Sequence, residues 1–329
     1  MIKKTTKELL KSSKNLLAFS AGVDSSALFF ILVNAEIPFD IAIVDYALRV
    51  QSKEETAYAQ KLAKQYGKKC FIKKAKKITK NFEATAREIR YTFFEELIEA
   101  YHYDNLITAH HLGDRFEWFL MQFCKGAGCA ELSGMQEIEV NSRYRLIRPL
   151  IDQDKSDLVL YLEKNSLHYF LDSSNEDETY TRNYFRKHHA TPLLAKYKSG
   201  IQKSFHYIDK DNELLIQKCE IKKINQLACF KAQNKRSDIY HIDKYLKSNA
   251  HIMTHAERKL LEEKKSSVIG RKYIVTQVKE YICIAPYLQT KGFTKAFKEK
   301  MRQAQIDPKL RPYLAEDPEA ELFLLRLFS

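Results

Sequence analysis

Three groups of residues in this chain have the types and spacing to do chemistry. The run Ser20, Ala21, Gly22, Val23, Asp24, Ser25, Ser26 follows an apolar stretch at 16–19 and opens another at 27–33. That pattern reads as strand, tight loop, helix. A helix start carries unpaired N–H groups and the positive end of the helix dipole, so a loop of small residues there can cradle a phosphate or pyrophosphate. Its plainer use is a strand-to-helix turn capped by Ser25 or Ser26. Ser20 and Ser25 offer hydroxyls, and Asp24 has the hard oxygens that Mg2+ takes. The second group is His110, His111, Asp114 and Glu117. The two acids are three apart and share a helix face, where they either hold a cation or simply complement the positive helix end. One of the two histidines suits a donor to phosphate or base, the other a core position. The third group is arginine: Arg87 and Arg90 on one helical segment, and Arg182 and Arg186 on either side of Asn183. Each can meet phosphate through paired N–H bonds or pair with a neighbouring acid.

The elements that must position these residues follow from the apolar pattern. Strands are predicted at 16–19, 39–46, 68–72, 104–111 and 143–151, with helices at 27–33, 53–67, 83–101, 117–123 and 155–165 between and after them. Alternation of this kind predicts an α/β fold with a doubly wound, mostly parallel sheet, whose ligands gather at the carboxyl ends of the strands. Residues 20–26, Asp45 at the end of the second strand, and 108–117 all fall there. A helical stretch at 191–223 would then bridge to a smaller, basic domain, α+β or mostly helical, with helices at 242–247 and 255–264 and strands at 271–278 and 280–286. The expected division is 1–195 for the nucleotide-binding half and 196–329 for the helical connection and second domain.

Composition narrows the class of partner. The chain of 329 residues carries a formal net charge of +13, of which residues 201–329 contribute +9, from 25 Lys and Arg against 16 Asp and Glu. A basic second half suits a polyanion such as nucleic acid, although lysine-rich surfaces also serve solubility. The same two uses apply to the Lys-rich run at 73–80, which contains no acid of its own. The six cysteines form no CxxC pair, which argues against a zinc ribbon or a thiolate-held iron–sulfur cluster. No stretch approaches the ~20 apolar residues of a membrane helix, and a cytoplasmic protein is expected.

The loop at 20–26 lacks the Gly-Lys-Ser/Thr of a Walker A motif and two of the three glycines of a dinucleotide fingerprint. It resembles the PP-loop, Ser-Gly-Gly-x-Asp-Ser, of the ATP pyrophosphatases, with Ala21 in place of the first glycine. The order of motifs resembles one family closely, the tRNA(Ile)-lysidine synthetases. Val-Asp-Tyr-Ala-Leu-Arg at 44–49, Asn-Phe-Glu-Ala-Thr-Ala-Arg-Glu-Ile-Arg-Tyr at 81–91, Thr-Ala-His-His-Leu-Gly-Asp-Arg-Phe-Glu at 108–117, Lys-Gly-Ala-Gly at 125–128, Arg-Pro-Leu-Ile at 148–151 and the segment 172–186 follow the loop in the family's order. Departures are Ala21, Tyr46 and Ala47 for His-Gly, Gly113 for an acid, and Arg115 and Trp118 in the helix after the histidines.

The resemblance implies an ATP-dependent carbon–nitrogen ligase that joins L-lysine to C2 of an anticodon cytidine through an adenylated cytidine, giving AMP and pyrophosphate. It assigns the nucleotide to Ser20, Ala21, Gly22, Val23, Asp24, Ser25 and Arg90, and catalysis to Asp24, Asp45, His110 and Arg186. Lysine falls to Asp114 and Glu117, tRNA to Arg87, Arg182 and Asn183, and Mg2+ to Asp24 and Asp45. The expected partners are tRNA(Ile) with a CAU anticodon, L-lysine and, as an open alternative, a second copy of the chain. Tyr46 and Tyr91 are candidate stackers for the base. Ala21 is expected to mark the glycine that the loop can spare. The alternatives are a thiolating PP-loop enzyme, which the missing CxxC disfavours, and a PP-loop small-molecule amidotransferase, which the basic second half disfavours. A non-catalytic RNA binder is disfavoured by the intact acids.

Overall fold

The computed structural model describes residues 2–46, 51–76, 78, 81–141, 143–171, 181–289 and 292–328. The chain divides into two compact units, Met1–Asp209 and Lys210–Ser329.

The first unit is built on a six-stranded sheet. Its elements run α1 (Lys4–Lys11), β1 (Asn15–Ala18), α2 (Val23–Asn34), β2 (Asp40–Asp45), α3 (Gln51–Gln65), β3 (Cys70–Lys74), α4 (Phe82–Tyr101) and β4 (Asn105–Ile107). There follow α5 (Leu112–Phe123), α6 (Cys129–Leu132), β5 (Ile138–Val140), β6 (Arg145–Ile147), α7 (Lys155–Lys164), α8 (Thr181–Phe185), a π-helical turn Arg186–Ala190 and α9 (Thr191–Leu215). Strand order is β3-β2-β1-β4-β6-β5, parallel throughout except for β5 at one edge. The expected doubly wound sheet is therefore present. Its sequence of strands reverses between β1 and β4, and a crevice opens at such a switch point because the two following connections leave toward opposite faces. The loops that leave β1 and β4 are the two that carry the candidate chemistry.

Short strands this apolar need help with register, and a buried polar set at their amino ends supplies it. Asn15 Nδ2 donates to the carbonyls of Leu10 and Pro38, both at 2.7 Å, Asn105 Nδ2 donates to Asn15 Oδ1 at 2.7 Å, and Arg145 Nε donates to Asn105 Oδ1 at 2.7 Å. A one-residue slip of β1, β4 or β6 would strand these buried groups without partners. On one face of the sheet α2 packs with Leu10, Ile37, Leu62 and Leu158. On the other, Phe93, Phe94, Leu97 and Ile98 of α4 cover Leu16, Ala42 and Leu106. Helix α2 is buried nearly all round, which fixes the loop before it against a rigid body.

The second unit is α+β. Its strands β7 (Lys222–Ile224), β8 (Leu227–Lys231), β9 (Ser266–Ile269), β10 (Tyr273–Val278) and β11 (Tyr281–Pro286) form one antiparallel sheet in the order β7-β8-β11-β10-β9. Helices α10 (Lys235–Ser248) and α11 (His255–Glu263) cover one face. Helices α12 (Lys295–Gln303), α13 (Arg311–Glu316) and α14 (Pro318–Leu327) cover the other.

Two expectations are corrected. The helix expected at 191–223 stops at Leu215, because Lys222–Ile224 turns back on Leu227–Lys231 through the two-residue loop Asn225-Gln226, with Asn225 at φ 47°. A left-handed Asn at that position is what a tight hairpin asks for. The helix is also kinked at Tyr197, where φ is −128° and ψ is 20°. Second, the helix expected from 117 begins five residues earlier, at Leu112. His111 caps it: its Nδ1 accepts the Gly113 N–H at 3.0 Å while Asp114 Oδ2 accepts the His111 N–H at 3.1 Å. Among the described residues, no helix is long and apolar enough to cross a membrane.

Candidate active site

A cleft of about 590 Å3 lies at the switch point. Ser20, Gly22, Val23, Asp24 and Ser25 form one wall, Val44, Tyr46, Arg87, Arg90 and Tyr91 a second, and Thr108, Ala109 and His110 a third, with Lys155 and Phe170 at its edge. Gly22 is the N-cap of α2 and, among the described residues, no side chain caps the helix, which leaves its first-turn amides at the cleft wall for an acceptor. The two serines brace the loop from within: Ser25 Oγ accepts the Ser20 N–H at 3.2 Å and lies 3.0 Å from Ser20 Oγ.

The glycine expectation is revised by the backbone. Ala21 is the residue with positive φ, at 60°, whereas Gly22 has φ −74° and ψ 174°, a conformation open to any residue. Position 21 is where the turn itself favours glycine, and Ala21 is held there by the Phe170 N–H, which donates to its carbonyl at 2.9 Å.

Asp24 lines the cleft with Oδ1 buried and, among the described residues, without a hydrogen-bond partner. An orphaned carboxylate oxygen in a polar cleft is a fitting ligand for a hard cation such as Mg2+, which takes one or two carboxylates together with phosphate oxygens and water. Asp45 is buried at the end of β2 and does not line this cleft; its neighbours Val44 and Tyr46, pointing to the other face of the strand, do. Among the described residues no group of three or more His, Cys, Asp or Glu is arranged to hold a metal.

The acids of α5 lie in a second cluster. Glu117 is only 1% exposed, and its two oxygens accept the Nε–H groups of Arg182 and Arg186, the latter at 2.8 Å. Asp114 Oδ1 accepts from Arg182 Nη2 at 2.8 Å and has Arg186 Nη2 at 3.8 Å. Residues that the sequence assigns separately to lysine, tRNA and catalysis are therefore one array of two carboxylates and two half-buried guanidinium groups. Burial alone would lower Arg182, but Asp114 and Glu117 hold it above the ordinary arginine value. Burial would raise Asp114, but His111, His110, Arg182 and the His111 N–H together hold it far below the ordinary carboxylate value, so it is an anion at neutral pH and a poor base. Asn183, between the two arginines on α8, is not among the residues lining the cleft.

His111 joins the two clusters. With Nδ1 accepting from Gly113, the neutral ring carries its proton on Nε2, which lies 3.8 Å from Asp24 Oδ1 and 3.5 Å from Asp114 Oδ2. Gly113 permits this fold-back, since a Cβ there would sit 2.7 Å from His111 Cε1. His110 lines the cleft with Nδ1 2.8 Å from Thr108 Oγ1. Burial pushes its pKa down to about 4, Asp114 opposes this, and Arg148, Arg182 and Arg87 add to it.

His110 therefore stays neutral in the fold while the unfolded chain takes up its proton near pH 6.5, so the group's contribution to stability is present above pH 6.5 and is lost as pH falls toward 4. Chemical denaturation of His110→Gln between pH 7 and pH 4 should show a shallower loss than the native chain, by roughly 2–3 kcal/mol at the acid end.

The remaining candidates separate. Arg87 stacks on Tyr91, 4.5 Å from ring centroid to guanidinium carbon, and Tyr46 donates its hydroxyl to the Ala86 carbonyl at 2.9 Å, so Tyr91 belongs to α4 and Tyr46 is tied to it. Lys73 of the basic run pairs with Glu96 at 2.9 Å, an acid of α4 that offsets one of its charges. Residues 47–50, 77, 79–80 and 172–180 of the expected motifs lie outside the described residues.

Lys155 and Phe170 were not foreseen. Lys155 opens α7 behind Asp154, whose carboxylate accepts the Ser156 N–H at 2.8 Å; the helix at 155–165 is expected from the sequence, but that its first residue faces the loop is a tertiary outcome.

Arg115 accounts for one departure from the family pattern. It is almost fully buried, pairs with Asp209 of α9, donates to the Ser133 carbonyl at 3.0 Å and stacks 4.3 Å over the Phe205 ring. It ties the acid-bearing helix α5 to α9. Arg115→Ala leaves Asp209 without its cation and opens a cavity against Phe205, and should lower the free energy of unfolding by roughly 3 kcal/mol in urea titration. Asp209→Asn, at a partly exposed position, should cost less.

Comparison with known proteins agrees with the geometry. A family model described as a PP-loop domain matches residues 1–193. The chain is 41% identical over 307 residues to a tRNA(Ile)-lysidine synthase of Campylobacter jejuni strain RM1221, covering 93% of this chain and 94% of that one. It is 42% identical over 313 residues to a tRNA(Ile)-lysidine synthase of Helicobacter pylori strain 26695, covering 94% and 92%. Among solved structures, a U34-tRNA thiolase of Methanococcus maripaludis shares the fold, with TM-score 0.53 and 18% identity over 65% of this chain and 76% of that one. With matches along nearly its whole length, the chain belongs to the tRNA(Ile)-lysidine synthase family of PP-loop, ATP-using ligases.

Proposed function

We propose that the protein joins L-lysine to C2 of the wobble cytidine in the CAU anticodon of tRNA(Ile), consuming ATP and releasing AMP and pyrophosphate. The observation that carries this reading is the pairing, across His111, of a helix start with no side-chain cap and an acid unpartnered among the described residues on one side, and a part-buried carboxylate–guanidinium array on the other. The first suits a triphosphate, the second a zwitterionic amino acid.

The cytidine carbonyl oxygen is a poor leaving group. Attack of that oxygen on the α-phosphorus of ATP expels pyrophosphate and converts the oxygen into part of an AMP leaving group. The lysine ε-amine then adds at C2, AMP departs with the oxygen, and the amine loses a proton. The loop amides at residues 22–25 receive the pyrophosphate, with Arg87, Arg90 and Lys155 facing it. Asp24 would hold Mg2+, which neutralises the phosphates when bound. The nucleophile must be a neutral amine, so Asp114 and Glu117 serve best by pairing the α-ammonium of lysine and leaving the ε-amine uncharged. Arg182 or Arg186 then turns one donor from the acids to the substrate carboxylate or a tRNA phosphate. The basic second unit grips the tRNA body through phosphate contacts, which fix register without reading sequence.

The test is to combine the protein, ATP, Mg2+, labelled lysine and tRNA(Ile) bearing CAU. Label should enter the RNA and should vanish when the wobble cytidine is replaced by uridine. Cleavage of ATP with no transfer of label would overturn the reading.

A further inference from the structure

Helix α8, which carries Arg182, and the π-helical turn that begins at Arg186 have an outer side that the chemistry above leaves unused. Tyr184 lies between the two arginines in sequence, 45% exposed, and its ring stacks on His188 with centroids 4.6 Å apart and planes tilted by 35°. His189 and Phe185 pack beside it, with Tyr184–His189 and Phe185–His189 centroids 5.7 and 5.3 Å apart. Residues two apart on a helix lie on opposite sides, so while the arginines reach the acids of α5, Tyr184 is turned away from them. The π-helical turn Arg186–Ala190 follows immediately, bringing Ala190 into the apolar cluster with Leu112 and Phe116 while Arg186 keeps its bond to Glu117. Such turns are rare and concentrate at functional sites. From 181 to 191 the chain carries Arg182, Arg186 and Lys187 and no acid, which complements a polyanion.

We propose that Tyr184, backed by His188, is a stacking platform for an unpaired base of the anticodon loop adjacent to the cytidine being modified. The inference rests on the RNA-ligase reading above. A single-stranded base presents a π face whatever its identity, and an aromatic ring propped from behind by a second ring, with cations alongside for the phosphates, is how proteins hold such bases. The platform lies one helix diameter, ~10 Å, from the acid–arginine array, a span that one or two splayed nucleotides can cross. It would hold the loop open so that the target base enters the cleft alone, and so acts as a positioning residue.

Steady-state lysidine formation with Tyr184→Ala, Tyr184→Phe and Tyr184→Leu tests this. Tyr184→Ala and Tyr184→Leu should raise KM for tRNA at least about fivefold, with KM for ATP and lysine within about twofold of the native chain. Tyr184→Phe, which keeps the ring, should stay within about twofold throughout. A 2-aminopurine base placed next to the wobble cytidine should be quenched on binding to the native protein and to Tyr184→Phe, and much less by Tyr184→Leu. Tyr184→Leu retains apolar packing, so it reads the platform even if Tyr184→Ala melts early. Unchanged tRNA KM and quenching in Tyr184→Leu, or equal losses toward all three substrates, would overturn the proposal. Failure of the native protein to form lysidine would instead overturn the reading on which it rests.

Discussion

Glu117→Gln should reduce lysine transfer by roughly a thousandfold while adenylation of the tRNA, read as pyrophosphate release in the absence of lysine, stays measurable. Both oxygens of Glu117 are taken by Nε–H donors, and the carboxylate itself has almost no access to water. A glutamine has one acceptor oxygen, and its amide nitrogen would face a second guanidinium donor, so one of the two Nε–H groups loses its acceptor while Asp114 still lies beside both arginines, and the array gains a unit of positive charge. That charge opposes the α-ammonium of lysine. Loss of the buried pairing also costs stability, roughly 1–3 kcal/mol since the arginines retain partial exposure, so the variant is compared at a temperature where both proteins are folded. Asp114→Asn should act in the same direction. If pyrophosphate release falls in parallel with lysine transfer, the array serves adenylation and the assignment of lysine to it is wrong.

The contrast between the two site clusters also explains what could be read from sequence. The sheet was legible because β1, β2, β3 and β4 are short apolar runs separated by helical stretches, and the loop after β1 was legible because its chemistry is local: seven consecutive residues make the turn, cap and ligand set. The acid–arginine array was not. Glu117 and Arg186 are 69 residues apart, and spacing alone gave each its own use, the acids for lysine and the arginines for phosphate. Their union depends on α8 and the π-helical turn packing on α5, a tertiary outcome. The start of α5 was misplaced for a related reason: its cap is a histidine, outside the Ser, Thr, Asp and Asn set that marks helix starts.

In the second unit, α12, α13 and α14 were missed although Pro312 and Pro318 stand in first turns where proline is favoured. These helices are short, and the second face of the sheet, which supplies their burial, was unrecognised while β7 was read as helix.

The loop offers the sharper test of reading chemistry from residue types, because its two small residues carry different burdens. Gly22→Ala should fold as the native chain does, with a melting temperature within about 2 °C, and yet raise KM for ATP tenfold or more. Its backbone angles suit any residue, and a Cβ would meet Ser20 Oγ at 3.5 Å and the Phe170 carbonyl at 4.0 Å, ordinary contacts that displace nothing. What the methyl does occupy is the cleft wall at the mouth of α2, where phosphate oxygens would approach the amides. Ala21→Gly is the reverse case. The left-handed conformation costs alanine about 1–2 kcal/mol, which glycine recovers. Against this stand about 0.8 kcal/mol for a buried methyl group and about 0.4–1 kcal/mol of added freedom in the unfolded chain. The two sides nearly cancel, so stability should change by less than about 1 kcal/mol and ATP use by less than about twofold. The sequence pointed to Gly22 as the glycine that nucleotide binding needs, but for an incomplete reason: the turn makes its conformational demand at Ala21 and absorbs the cost, while the demand at Gly22 is space for the nucleotide. Calorimetry on both variants with a non-hydrolysable ATP analogue separates the two, and native-like affinity in a correctly folded Gly22→Ala would remove this stretch of backbone from phosphate binding.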